Sequence, residues 1–357
     1  MEKESDMNKF DMEKYMLRCL ELAKLGNGYV APNPMVGSVI VHNNKIIGEG
    51  YHKKFGEPHA EINAINSVKD KSLLRNSTLF VNLEPCAHYG KTPPCAVKIA
   101  ELKIARVVIG TKDISAKVNG KGIEILKNSG ITVIQGIMEK ESREINKRFF
   151  TFHQKKRPYI ILKWAQTKDG FIDKERTSED KQEINWITNE TSRSLVHKWR
   201  TEESAILIGK ETAKKDNPKL TVREWTGKQP LRLVLDQNLV LHENLNIFDG
   251  TCPTIVFNGK KSEKQNNNNI EFIKINYDND VLSEIMAVLY EREITSLIVE
   301  GGRKTLQSFI DRNLWDEARV FTGNINFYKG VPAPEFLYNP ILTKQIEDSF
   351  ISIYENI

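Results

Sequence analysis

EPHAEINA, residues 57–64, and NLEPCAHYGKTPPC, residues 82–95, are the stretches on which the reading of this chain turns. They hold one imidazole, His59, and two thiols, Cys86 and Cys95. One nitrogen and two sulfur donors make a three-ligand zinc set that leaves the fourth position open to water, as a catalytic site requires. A bound zinc lowers the pKa of such a water to roughly 7, and a further group must then carry its proton to a leaving atom. Glu61, just beyond His59, is placed to do this without binding metal. His-x-Glu followed by Pro-Cys-x-x-Cys is the pattern of zinc nucleobase deaminases; here the interval Cys86-x8-Cys95 is longer. The plainer reading, two buried cysteines and a surface histidine, leaves Glu61 and Pro85 without a reason. For Cys19 and Cys252 that plainer reading suffices, because small buried cysteines are common.

Working outward, the first part of the chain alternates helix with strand. Tyr15, Leu17, Leu20, Leu22 and Leu25 mark an opening helix that ends near Gly26-Asn27-Gly28. VGSVIVHNNKIIGEGY reads as a hairpin turning at Asn43-Asn44. A helix is predicted near His59, a strand over Thr78–Leu83, a helix from Cys95, and strands over Arg106–Gly110 and Ile131–Gln135. Strands separated by helices predict a three-layer α/β domain. The polar, basic segment Gln154-Lys155-Lys156-Arg157-Pro158 reads as a linker, which divides the chain into residues 1–153 and 154–357.

A second α/β series follows. Its predicted strands are Tyr159–Trp164, Ala205–Ile208, Leu231–Leu235, Thr254–Phe257 and Ser296–Val299. Its predicted helices are Asn189–Arg200, Val281–Arg292 and Lys304–Arg312. The run Gln265–Asn269 reads as a solvated loop. No Gly-x-Gly-x-x-Gly is present, so an ordinary dinucleotide fold is not indicated. Val299-Glu300-Gly301-Gly302 does lead from an apolar strand into a helix, where backbone N–H groups can approach a pyrophosphate. Taken alone, the two glycines are equally consistent with a simple turn.

Composition sets the outer bounds. A chain of 357 residues, 39% hydrophobic and 28% charged, is of ordinary globular type and long enough for two domains. Its net charge of +5 is modest and interleaved, so neither a nucleic acid nor a membrane partner is called for. MEKESDMNKF lacks the apolar core of a signal peptide, and no stretch approaches a membrane span. Four cysteines are too few for a disulfide scaffold. A cytoplasmic location is the expectation.

Three stretches, APNPMVG at 31–37, GEGYHKKFGEPHAE at 48–61 and NLEPCAHYGKTPPC at 82–95, resemble the deaminase half of the RibD family of bifunctional riboflavin-biosynthesis enzymes. The resemblance implies a cytidine deaminase-like fold, an insertion that lengthens the cysteine spacing, and substrate contacts at Asn33, His52, His88 and Lys91. An amide offers paired donor and acceptor groups to a pyrimidine edge, and a lysine meets a phosphate or ring oxygen as a cationic donor. KWAQTKDG at 163–170, NWIT at 185–188, HKWRTEESAILIGKETAKKDNPKLTVR at 197–223 and VEGG at 299–302 resemble the reductase half. That similarity implies a dihydrofolate reductase-like fold using NADPH. It implies cofactor contacts at Ala165, Trp186, Thr212, Asp216, Gly302, Arg303, Lys304, Thr305, Leu306, Gln307 and Ser308. Substrate contacts are implied at Lys163, Arg200, Leu220, Arg223 and Glu300. Lys163, Asp216 and Glu300 all remain candidates for handling the proton during reduction.

One stretch departs from the family pattern. FIDKERTSEDKQEIN at 171–185 is longer and more charged than the usual Gly/Ser stretch, and Ile184 stands where a serine is expected. The resemblance as a whole implies small phosphorylated pyrimidine substrates and a homo-oligomer, dimer or tetramer. Two other readings stay open at this point: a deaminase beside an inactive or altered reductase half, and a nucleic-acid deaminase of the tRNA-editing kind. Basic stripes interleaved with aromatics would favour the latter, and none are found. A purely structural zinc domain is opposed by the neighbouring Glu61 and the incomplete ligand set.

Overall fold

The computed structural model describes residues 8–89, 93–176, 185–265 and 269–356. The chain divides into two compact units, Met1–Lys155 and Lys156–Ile357.

The first unit begins with α1 (Lys9–Lys24), whose start is capped by the Asn8 side chain accepting from the Asp11 N–H. Its buried stripe is Tyr15, Met16, Cys19, Leu20, Leu22 and Ala23. Leu17 and Leu25 are exposed, and the buried stripe is completed by Met16 and Cys19. The hairpin β1 (Gly37–His42) and β2 (Lys45–Tyr51) follows, with Asn43 and Asn44 both at positive φ in the turn. Paired positive φ values match the right-handed twist of the flanking strands, and asparagine tolerates them. Then come α2 (Ala60–Ser67), β3 (Thr78–Leu83), α3 (Cys95–Glu101), β4 (Arg106–Thr111), α4 (Lys121–Asn128), β5 (Thr132–Gln135), α5 (Glu139–Ile145) and α6 (Lys147–Lys155).

The sheet order is β2-β1-β3-β4-β5, with β3, β4 and β5 parallel and β1 antiparallel to both its neighbours. One face packs Ile40, Leu79, Val81, Val107 and Ile109 against Ala64 and Ile65 of α2, Ile99 of α3 and Leu126 of α4. The other packs Val39, Val41, Phe80 and Val108 against α1. This is the expected three-layer, cytidine deaminase-like arrangement.

The second unit contains β6 (Tyr159–Gln166), β7 (Phe171–Lys174), α7 (Glu190–Glu202), β8 (Ala205–Gly209), α8 (Lys210–Asp216), β9 (Leu231–Leu235), β10 (Thr254–Asn258), β11 (Glu263–Gln265) and β12 (Ile270–Lys274). It closes with α9 (Val281–Glu291), β13 (Ser296–Val299), α10 (Arg303–Asp311), β14 (Glu317–Thr322), β15 (Gly330–Pro332), β16 (Leu342–Ile346) and β17 (Ser349–Glu355). Ten strands form one sheet in the order β11-β12-β10-β9-β8-β13-β6-β14-β17-β16. The run from β12 to β14 is parallel, and antiparallel strands lie at both ends. Parallel strands covered on both faces are near-continuously apolar, as in Ala205–Gly209, buried throughout. On one face α9 and α10 supply Leu282, Ile285, Leu289, Leu306 and Phe309 to the core. On the other, Val196 and Trp199 of α7 and Ala213 of α8 pack down.

The run read as a loop at 265–269 is framed by β11 and β12; residues 266–268 lie outside the described residues. Among the described residues, no helix is long and apolar enough to cross a membrane.

Candidate functional site

Helix starts and a strand end bring the first site together. His59 is the N-cap of α2, and Cys95 is the first residue of α3. Cys86 follows β3 by way of Glu84-Pro85. Both helices pack on the same sheet face, so their N-termini converge where β3 ends. His59 Nδ1 lies 3.4 Å from Cys86 Sγ and 3.4 Å from Cys95 Sγ. The three donor atoms fall within 4.8 Å of one another. Cys95 N–H also donates to Cys86 Sγ at 3.3 Å.

The electrostatics suit a divalent cation. Cys86 is pulled down to about 4 by the adjacent Cys95 thiol and by His59, whereas Cys95 is pushed up by the negative Cys86 beside it. His59 rises to about 9 on its contact with Cys86. The Cys86 thiolate opposes ionisation of the Cys95 thiol beside it, and a bound cation lets both sulfurs ionise together. Soft sulfur and imidazole donors select zinc over the hard cations. These residues therefore fit zinc.

Glu61 lies in the first turn of α2, only 3% exposed. Burial pushes its carboxyl up to about 7, with the Cys86 charge adding to the rise. An acid poised near neutrality can both take and return a proton.

His52 is buried and its rings pack edge-on to His59 with centroids 5.3 Å apart. Asn33 Nδ2 lies 3.1 Å from His52 Nε2, and His52 Nδ1 lies 3.2 Å from Pro58 O. That pairing assigns the proton to Nδ1, donating to the carbonyl, while Nε2 accepts from the amide. Burial lowers the imidazole's pKa. His88 is exposed on the segment after Cys86. Lys91 lies outside the described residues.

Sequence reasoning missed Asn82 and Asn146, which hold the loop carrying Asn33. Asn82 accepts from Gly37 N–H at 2.8 Å and donates to Met35 O at 3.1 Å. Asn146 accepts from Met35 N–H and donates to Met35 O, at 2.8 and 2.9 Å. Single asparagines so far from their partners in sequence leave no local signal.

The second unit contains a cleft of about 640 Å³ at the C-terminal ends of its parallel strands. Lys163, Ala165, Trp186, Arg200, Thr212, Asp216, Leu220, Arg223 and Glu300 all line it, as do residues 302–306. Gln307 and Ser308 do not. They lie on the part of α10 turned elsewhere: Ser308 donates to Thr305 O, and Gln307 engages Asp311 and the Glu335 N–H.

Glu300, after β13, is the hub. Arg200 of α7 grips it bidentately, Nε to Oε1 at 3.1 Å and Nη2 to Oε2 at 2.8 Å. Lys163 Nζ lies 3.8 Å from Oε2. Burial alone would push Glu300 up, but the Arg200 and Lys163 charges outweigh it and hold the carboxyl down to about 2. Burial lowers Lys163, against the pull of Glu300. Burial pushes Asp216 up to about 6 although Arg176 Nη2 donates to it at 3.0 Å. Arg176 and its other partner, Asp173, also line the cleft and were not anticipated.

His197 opens the stretch 197–223. It is buried, and its Nδ1 accepts from the Arg223 N–H at 3.1 Å. Burial and the Arg200 and Arg223 charges lower it to about 4, so it stays a neutral acceptor. Leu220 is buried at φ +54°. Trp186 is exposed, with the Arg193 guanidinium stacked 4.5 Å from its ring centroid.

Comparison with known proteins falls on both units. Residues 10–111 match the cytidine and deoxycytidylate deaminase zinc-binding region, and residues 158–325 match the RibD C-terminal domain. The riboflavin biosynthesis protein RibD of Aquifex aeolicus (strain VF5) is 43% identical, over 87% of this chain and 86% of its own length. The chain belongs to the RibD family. It is therefore a bifunctional enzyme of riboflavin biosynthesis, a zinc-dependent deaminase joined to an NADPH-dependent reductase. The RibD of Escherichia coli (strain K12) is 33% identical over 87% of this chain and 86% of its own. The similarity extends to three dimensions. The Thermotoga maritima diaminohydroxyphosphoribosylaminopyrimidine deaminase/5-amino-6-(5-phosphoribosylamino)uracil reductase superposes with a TM-score of 0.87 at 37% identity, covering 98% of this chain and 99% of that one.

Proposed function

We propose that residues 1–153 hydrolyse the exocyclic amine of 2,5-diamino-6-hydroxy-4-(5-phosphoribosylamino)pyrimidine, and that residues 154–357 reduce the ribose of the resulting 5-amino-6-(5-phosphoribosylamino)uracil to a ribityl chain. The reading rests above all on the convergence of His59, Cys86 and Cys95 beside the buried acid Glu61. Those three residues would hold the zinc, which when bound supplies an activated water at neutral pH. Glu61 takes a proton from the attacking water and returns it to the nitrogen. The new C–O bond then stands as the C–N bond breaks, and ammonia leaves. Asn33, oriented by His52, presents its amide to the pyrimidine edge, and His88 and Lys91 meet the phosphoribosyl end.

In the second unit the turn of residues 302–306, at the start of α10, would hold the cofactor pyrophosphate through backbone N–H groups. Ala165, Trp186, Thr212 and Asp216 line the same cleft. NADPH when bound supplies the hydride. Lys163, its ammonium acidified by burial, delivers the accompanying proton, and Glu300 holds it in place. Both side-chain ends of the Arg200 fork that face Glu300 are engaged, so the exposed Arg223 is the better ligand for the substrate phosphate. Arg200 acts by fixing Glu300.

We place the enzyme in the cytoplasm as a homo-oligomer. Nothing in the fold or the family favours an inactive reductase half or a nucleic-acid substrate. The test is to incubate the zinc-loaded protein with the diaminopyrimidine and NADPH, following ammonia release and loss of nicotinamide absorbance together. Both are expected to proceed. Ammonia without NADPH oxidation would overturn the reductase assignment, and no ammonia would overturn the substrate.

A further inference from the structure

The Glu84 carboxylate, just ahead of Pro85-Cys86, is buried at 3% exposure. Among the described residues no basic side chain pairs with it. Instead it accepts four backbone N–H groups. Oε2 takes those of Asp113 and Gly120 at 3.2 and 3.1 Å, and Oε1 those of Gly122 and Ile123 at 3.0 and 3.2 Å. The helix α4 begins after Gly120, at φ +92°, and has no side-chain cap of its own. A helix N-terminus leaves several N–H groups without intrahelical partners, and a carboxylate there also meets the positive end of the helix dipole. Glu84 thus caps α4 from the segment that follows β3, and the same carboxylate holds the loop after β4 at Asp113.

A second contact locks the same junction. A Cβ on Gly122 would lie 2.0 Å from Pro85 O and 3.2 Å from Glu84 Oε1. Only a glycine lets the first turn of α4 come up against the Pro85 carbonyl. Beyond it, Cys86 O accepts from Ala96 N–H at 3.2 Å. Cys86 is thereby pinned between α3 on one side and the Glu84–α4 junction on the other.

We infer that Glu84 is a positioning residue for the metal centre: bound to no metal itself, it fixes the turn that aims the Cys86 sulfur at His59 and Cys95. The inference rests on the zinc reading of those three residues. Outer partners that orient metal ligands typically change affinity or activity by about 10–100-fold when replaced. In Glu84→Gln the amide nitrogen faces two N–H donors that it cannot accept.

Parent and Glu84→Gln would be compared for the rate of zinc release to a chelator, for the thiolate-to-cobalt absorption of the cobalt(II)-substituted protein, and for thermal unfolding. A folded Glu84→Gln is expected to release zinc at least about tenfold faster and to show a shifted cobalt spectrum. A parent-like release rate and spectrum, with only a lower melting temperature, would overturn the inference. Should Glu84→Gln fail to fold, Glu84→Asp, which keeps the charge but shortens the reach, is expected to release zinc at an intermediate rate; a parent rate there also overturns it. A parent protein that binds no zinc would instead sink the zinc reading itself.

Discussion

The two sites are built on opposite principles. In the first unit a few residues close together in sequence do the work: His59 and Glu61 on one helix start, Cys86 and Cys95 either side of one short insertion. In the second, Lys163, Arg200, Arg223 and Glu300 come from separate elements and meet only when β6, α7 and β13 pack. The first site draws its chemistry from a cation that its ligands capture, and its buried acid Glu61 is poised near neutrality. The second draws it from charges that neutralise one another, with Glu300 held far into the ionised range. A metal site tolerates distant changes if the ligands stay aimed. A charge cluster fails when any member is lost.

The sharpest break between the two should come from Glu61→Gln. Removing the proton carrier is expected to lower the deamination rate by about 10²–10⁴-fold, with zinc content unchanged by metal analysis. Reduction of pre-deaminated substrate should continue at the parent rate. Loss of both activities together would show that the sites are not energetically separable. Glu300→Gln is the mirror experiment. It leaves Arg200 and Lys163 buried without their counter-charge, and breaking such a pair costs about 3–5 kcal/mol. Reduction should fall by about 100-fold, the second unit should melt earlier, and ammonia release should be untouched.

Arg223→Ala and Arg200→Ala should separate binding from positioning within the second site. Loss of a charge-assisted contact to a phosphate is worth about 1.5–3 kcal/mol. Arg223→Ala should therefore raise KM for the phosphorylated substrate by about tenfold or more and leave kcat near the parent value. Arg200→Ala, which frees Glu300, should lower kcat instead. Steady-state kinetics decide it, and equal effects on KM from both variants would return the phosphate to Arg200.

The same contrast explains what could be read in advance. The metal set was legible because zinc chemistry demands particular residue types at short spacing. The hairpin was legible because two asparagines at positive φ leave few alternatives. Most of the parallel strands were plain as apolar runs, but β12 (IEFIK) and β14 (EARVFT), each interrupted by charge, were not among those predicted. By contrast α8, with the sequence KETAKKD, carries only Ala213 toward the core, and nothing in its pattern marks it as a helix. The strand β16 is almost wholly exposed, and exists because β17 pairs with it rather than through any apolar alternation. His197 was missed because its partner Arg223 is remote in sequence, and Arg176 because its link to Asp216 is remote while its nearer partner Asp173 looks like an ordinary surface pair. Of the run 302–308 that the family resemblance implies for the cofactor, residues 302–306 line the cleft and Gln307 and Ser308 stand outside its lining, as successive side chains of a helix face different sides.

The mildest expected difference lies in acid stability. Glu300 falls from an ordinary 4.5 to about 2 on folding. A carboxyl with a depressed folded pKa stabilises the native state at any pH above its unfolded value, and that contribution drains away as pH falls through the folded value. The stability gap between the parent and Glu300→Gln should therefore be constant at neutral and mildly acid pH. It should narrow as pH drops below 4.5 and largely vanish near 2. Chemical denaturation of both proteins, followed by tryptophan fluorescence from the second unit, would measure the gap directly. Trp199 and Trp315, both buried there, report on that core. A gap that stays constant down to the lowest pH would mean that Glu300 contributes through its shape and hydrogen bonds alone. The charge cluster, which sets this site apart from the metal centre, would then have no energetic standing.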